Sequence, residues 1–143
     1  MREIRTETEI AAPPEKVWGI LTDFENWKEW NPVVTDVSGE ANLNSKLNIR
    51  MKGEGGKGGM NYAATITDLV EQKSFRWRAT MVAGFLFTND KIFELEESSS
   101  GTRVVHWEEF SGIMVGMFWG KLSKGVPPML EAMNEALKKK AEN

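Results

Sequence analysis

The stretch "TEIAAPPEKVWGILTDFENWKEWNP", Thr8 to Pro32, changes its hydrophobic period within one short span. It closes a strand, opens a helix at paired prolines, and ends in an aromatic segment stopped by Asn31-Pro32. Upstream, Ile4, Thr6, Thr8 and Ile10 alternate with charged positions, as in a strand with one buried face. Proline suits a first helical turn at Pro13-Pro14, and Val17, Trp18 and Leu21 follow at helical spacing. Phe24, Trp27 and Trp30 then recur every third residue on one side of a second short helix. Glu25, Lys28 and Glu29 take its wetter side. Pro32 stops that helix, because the residue before a proline is pushed out of the α region. So much aromatic surface in a polar segment has two readings, a packed core or the rim of a ligand cavity. Phe24 and Trp27 suit the core; Trp30 is the candidate for the rim.

From Val33 to Gly112 the chain reads as strands. "VVTDVSGE", "SKLNIRMKG", "MNYAATITDLVE", "KSFRWRATMVA", "FLFTNDKIFELEE" and "GTRVVHWEEFSG" alternate and are separated by Gly, Asn and Ser clusters. After Gly112 the period changes. "VPPMLEAMNEALKKKAEN", from Val126, puts Met129, Leu130, Met133 and Leu137 on one helical face, with proline allowed at its start. The order is strand, two short helices, six strands, long helix, an α+β arrangement. A strongly curved antiparallel sheet closed around the last helix would bury that helix's Met and Leu face and leave room for a cavity. No linker or internal repeat divides the 143 residues, so residues 1–143 are expected to form a single domain.

Composition narrows the function classes. Apolar content of 41% and charged content of 27% are those of a globular protein. Net charge is −3 and no Lys/Arg block reads as a phosphate-binding stripe, so nucleic acid is not an expected partner. Lys138 to Lys140 read as cations on the last turn of a helix, where the dipole favours them. The absence of cysteine removes disulfides, thiolate metal sites and cysteine nucleophiles. The N-terminus "MREIRTETEI" has no apolar signal core, and "SGIMVGMFWG" is about half the length of a membrane span. A cytoplasmic protein without a membrane span is expected.

The opening stretch, with "FRWRA", "KIFELEE…GTRVVHWEEFSG" and the close "MNEALKKKAE", resembles the polyketide cyclase/dehydrase-like branch of the START-like, helix-grip (SRPBCC) superfamily. The likeness covers nearly the whole chain in order; the opening and the H-x-E-x-F-x-G strand, His106 to Gly112, are its most specific parts. It implies a seven-stranded antiparallel sheet gripping a C-terminal helix, with two small helices between strands 1 and 2. It also implies a hydrophobic ligand in the intervening cavity. Members of the superfamily are cyclases, aromatases, lipid carriers, chaperone co-factors or plain binding proteins, so fold does not settle function. The family often has histidine where Lys91 stands; lysine keeps a cation opposite Glu108.

"KGEGGKGG" spells G-x-G-x-x-G at Gly53, Gly55 and Gly58, but a strand-like "MNYAATI" follows where a dinucleotide site needs a helix. It reads as a hairpin turn at the rim of the sheet. His106 is the only histidine, and no Asp/Glu spacing completes a metal site around it, so neither metal nor cofactor is expected. A lone strand histidine is more often a satisfied structural residue than a catalyst.

If "SSSG", Ser98 to Gly101, turns the chain with Glu97 opposite Thr102, the register sets Lys91 against Glu108, Phe93 against His106 and Leu95 against Val104. These share a face with Phe110, which is apolar enough to line the cavity. Lys91 and Glu108 should pair there, since an unpaired buried charge is costly. A one-residue slip would reverse the faces, and Trp107 makes the other face less than plainly polar. Phe75, Trp77, Ala79 and Met81 share the inward parity of their strand; Trp77 is either core filler or cavity wall. Met114, Met117, Phe118 and Trp119, mixed with glycines across residues 112–120, are a helix start or crossover packing on the sheet, a mobile lid or a homodimer contact.

The leading expectation is a binding protein for a small hydrophobic molecule: a lipid, fatty acid or aromatic, polyketide-like compound. Trp30, Trp77, Phe87, Phe93, Phe110, Met129 and Met133 would wall the pocket, and Lys91, His106 and Glu108 would orient the ligand's polar end. Two alternatives stand beside it. One is a cyclase or dehydratase with His106 and Glu108 as its proton-transfer pair. The other is a protein-interaction module without a ligand.

Overall fold

The computed structural model describes residues 1–52, 59–81 and 83–143, with the side chain of Met81 left aside. The Gly53, Gly55 and Gly58 turn and the inward placement of Met81 lie outside the described residues. The chain runs β1 (Arg2–Ile10), α1 (Pro14–Thr22), a short 3-10 helix η1 (Phe24–Glu29) and β2 (Val34–Ser38). It continues through β3 (Lys46–Lys52), β4 (Gly59–Val70), β5 (Ser74–Met81), β6 (Phe87–Ser98) and β7 (Gly101–Ser111) to α2 (Val115–Glu142). The strands form one seven-stranded antiparallel sheet in the order β1-β7-β6-β5-β4-β3-β2. Bulges in β2, between Val34 and Asp36, and in β4, between Ile66 and Asp68, coincide with its curl into a half-barrel around α2.

The β6–β7 register is the expected one: Lys91 faces Glu108, Phe93 faces His106, Leu95 faces Val104 and Glu97 faces Thr102. The inward parity carries the core. Phe75, Trp77, Phe93, Ile66, Leu47 and Ile49 are all buried on the concave side. The convex face explains Trp107. With Ile92 and Val105 it forms a small second cluster, covered by the Arg5 guanidinium 4.3 Å above its ring. Around it, Arg76 bridges Asp90 and Glu109 while Arg78 binds Asp90.

Two helices differ from expectation. The segment after Asp23 is a 3-10 helix, not an α-helix, and three residues per turn stacks Phe24 and Trp27 one above the other. Trp30 stands just past its last turn, and buried Asn31 then turns the chain, its Oδ1 accepting the N–H groups of Val33 and Val34 at 2.9 Å each. The long helix starts at Val115, not Val126, so Pro127 and Pro128 lie inside it. Each proline removes one i→i−4 bond, freeing the carbonyls of Ser123 and Lys124, and both residues are exposed so that water can serve them. Gly112 makes the earlier start possible. Its φ is +113°, and a Cβ there would collide with the backbone of Leu86 and Phe87. No described helix is long and apolar enough to cross a membrane.

Candidate functional site

The inner face of α2 is one stripe, Val115, Trp119, Leu122, Val126, Met129, Met133 and Leu137, spaced by three and four residues. Burial changes along it. Met133 and Leu137 are fully packed, and the C-terminal end is pinned by Glu142, which accepts the Ala11 N–H at 2.8 Å. Trp119, Leu122, Val126 and Met129 are only half-buried. Tyr62 on β4 and Phe87 on β6, which share the concave face, are half-buried too. Apolar side chains of this half of α2 and of the concave sheet thus keep part of their exposure. The other end of the sheet is closed: Phe24, Trp27, Trp77, Phe75 and Phe93 form a chain of ring contacts, with centroids 5.3–6.3 Å apart.

Between the closed and open ends sits a buried polar cluster. Lys91 Nζ lies 2.9 Å from His106 Nε2, 3.6 Å from Glu108 Oε2 and 3.9 Å from Met133 Sδ. A lysine ammonium only donates, so Nε2 accepts and the imidazole proton resides on Nδ1. That proton goes to Asn134 Oδ1 at 2.9 Å. Asn134 Nδ2 then donates to Thr6 Oγ1 at 2.8 Å, and the Thr6 hydroxyl donates to the His106 carbonyl at 2.7 Å. His106 also stacks on Phe93, with centroids 4.0 Å apart. Both ring nitrogens are occupied and the side chain is fully buried, so His106 orients Lys91 and offers no free nitrogen to a ligand.

Burial pushes the His106 pKa well below its ordinary value; the Lys91 charge adds to this and Asn134 opposes it. Burial also lowers Lys91, partly offset by Glu108. Burial first, and the Glu108 charge second, raise the Tyr62 phenol, so it remains protonated. Glu108 meets Lys91 as an ion pair at 3.6 Å and is the least buried of the three strand residues at 9% exposure. The neutral histidine has a consequence for stability. Its folded pKa lies below the unfolded value near 6.5, so its contribution is present above that pH and is lost as pH falls. Stability should drop by about 1.4 kcal/mol per pH unit below about pH 6.5. Urea unfolding between pH 7 and pH 5 checks this, and His106→Gln should remove the slope.

The expected wall residues divide. Phe87 and Phe110 share the concave parity of Lys91 and Glu108, Met133 touches Lys91, and Met129 stands one turn earlier on the same face of α2; Phe110 packs on Phe87 and Trp119 with ring centroids 6.2 and 6.1 Å apart. Trp77 and Phe93 belong to the packed core, although the buried Trp77 Nε1 has no hydrogen-bond partner among the described residues. Trp30 leans on Trp27 and lines a separate groove of about 140 Å³ with Gly19, Ile20, Asp23 and Lys140. A wider concavity of about 640 Å³ lies along β2–β4, where Asp36, Asn48, Arg50 and Asn61 of the convex parity line it together with Val37, Ile49 and Tyr62. Sequence reasoning missed Tyr62, Thr6 and Asn134. Tyr62 shares parity with buried Ala64 and Ile66, which was a readable signal. Asn134 had none beyond its place next to Met133.

A family model described as "Polyketide cyclase / dehydrase and lipid transport" matches residues 1–142. No curated protein matches the sequence. Among solved structures, the Zhui aromatase/cyclase of Streptomyces sp. R1128 is similar at TM-score 0.79 and 16% identity, over 99% of this chain and 93% of that one. TTHA0849 from Thermus thermophilus gives 0.78 and 17%, over 98% and 97%. The di-domain ARO/CYC StfQ of the steffimycin biosynthetic pathway gives 0.79 and 10%, and this chain spans 50% of its length. At these identities the structural likeness speaks to fold alone.

Proposed function

Since this chain belongs to the polyketide cyclase/dehydrase and lipid transport family, we propose that it binds a small, mainly apolar molecule between the N-terminal half of α2 and the concave sheet. The observation that carries this reading is the inward stripe of α2, which loses its burial over Trp119, Leu122, Val126 and Met129 where it faces Tyr62 and Phe87. Apolar side chains left half-wet on two facing walls gain by accepting an apolar guest. Lys91 and Glu108 balance in charge and His106 is neutral, so a charged head group would leave an uncompensated charge. A neutral end with a hydroxyl fits: it can donate to Glu108 and accept from Tyr62. The protein would then act as a cytoplasmic carrier. A proton-transfer role, if the chain has one, would fall to Glu108 and Tyr62, because both His106 nitrogens are engaged.

Titration with the neutral fluorophore N-phenyl-1-naphthylamine tests the reading. Saturable binding is expected, and Met129→Trp, which fills the space, should weaken it roughly tenfold or more. Binding that Met129→Trp leaves unchanged would place the probe elsewhere and end the proposal.

A further inference from the structure

Among the described residues, four of the eight exposed large hydrophobic side chains collect at one end of the fold. Phe85 at the β5–β6 turn is 71% exposed, Ile113 at the β7–α2 turn 76%, Met117 76% and Phe118 39%. The two turns are stitched together: Ile113 N–H donates to the Phe85 carbonyl at 3.1 Å and Met114 N–H to the Leu86 carbonyl at 3.0 Å. Their apolar tips therefore stand side by side on a fixed frame, next to the first turn of α2.

Charge is segregated in the same place. The segments 79–89 and 110–130 contain no Asp or Glu, although the chain as a whole carries −3. Their only charged residues are Lys121 and Lys124, both exposed, four and seven residues after Met117 and so on the same side of the helix. Arg2 adds a third cation beside them, 5.0 Å above the Trp119 ring.

We propose that this end of the molecule docks reversibly on an anionic lipid bilayer surface. Phe85, Ile113, Met117 and Phe118 would enter the headgroup–acyl boundary, and Lys121 and Lys124 would meet lipid phosphates. Exposed apolar tips beside lysines, on segments that carry no carboxylate, are what such an interface selects. A second copy fits less well, because a two-fold contact centred on these tips would bring both lysine pairs together around an apolar centre. The surface adjoins the half-buried stretch of α2, so a guest could pass between bilayer and protein without crossing water. The docking itself does not depend on the ligand reading.

Co-sedimentation with extruded vesicles tests it, comparing pure phosphatidylcholine with phosphatidylcholine containing phosphatidylglycerol. The protein should pellet with the anionic vesicles, less so at high salt. Phe85→Ser with Met117→Ser should reduce the bound fraction roughly tenfold or more, and Lys121→Glu with Lys124→Glu should abolish the preference for phosphatidylglycerol. These positions are exposed, so thermal unfolding should be unchanged. Met129→Trp should still bind vesicles, which separates this surface from the inner site. Failure to pellet with either vesicle, or pelleting unaffected by the substitutions, overturns the proposal. So does a dimer in light scattering that the same substitutions dissolve, since a second copy would then cover the face.

Discussion

Trp27→Ala is expected to destabilise the fold by about 3–5 kcal/mol, a large part of the roughly 5–15 kcal/mol that holds a domain of this size together. The side chain has no exposure, and its Nε1–H donates to the Leu21 carbonyl at 3.0 Å. Its ring meets those of Phe24, Trp30, Trp77 and Phe93 at centroid distances of 5.5–6.3 Å. Alanine would leave an indole-sized void at the junction of η1 and the sheet. It would also orphan a carbonyl at the end of α1. Trp27→Phe should keep part of the packing and lose the hydrogen bond, costing about 1–3 kcal/mol. Trp30→Ala, at a half-buried position, should cost less than Trp27→Ala. Urea unfolding should show a lower midpoint with an unchanged slope. A loss below about 1 kcal/mol for Trp27→Ala would mean that the neighbouring rings collapse into the space.

Lys91→Met should be comparably severe, at about 3–5 kcal/mol, because it strands the Glu108 carboxylate in a mostly dry site. It also takes the donor from His106 Nε2, which no other described donor reaches. Glu108→Leu alone should be damaging for the reciprocal reason. The double variant Lys91→Met with Glu108→Leu should recover much of the loss, since two apolar groups often replace a buried pair at little cost. The residual deficit should be about 1–3 kcal/mol, from the unpaired imidazole nitrogen. A double-mutant cycle measures this directly. Additive losses, without recovery, would mean that the two side chains do not act as a pair.

Much of this arrangement was legible in the residues. Alternation in β6 and β7 with a short Ser-rich turn determined the register, and the register put Lys91 against Glu108. The inward parity of Phe75, Trp77 and Ala79 followed from the same period of two. A helix start near Gly112 was one of the open readings, but a single helix running on through Pro127 and Pro128 was not legible, because Gly116, Gly120, Gly125 and both prolines oppose a helix by propensity. Tertiary contacts outweigh that local preference: the β5–β6 turn holds Gly112–Met114, and the helix continues from there. The His106–Asn134–Thr6 relay joins residues up to 128 positions apart, and no local pattern encodes such a contact. Trp30 was legible as an amphipathic edge, but not which edge: the 3-10 geometry carries it past the last turn, toward the outer groove beside Lys140.

Amide chemical-shift mapping with N-phenyl-1-naphthylamine tests the inner site most directly. Shifts centred on Tyr62, Phe87, Leu122 and Met129, with Tyr62→Phe weakening only ligands that carry a hydroxyl, are the expected result. Shifts confined to Asp36, Arg50 and Asn61 on the convex side, or no shifts at saturating probe, would contradict it.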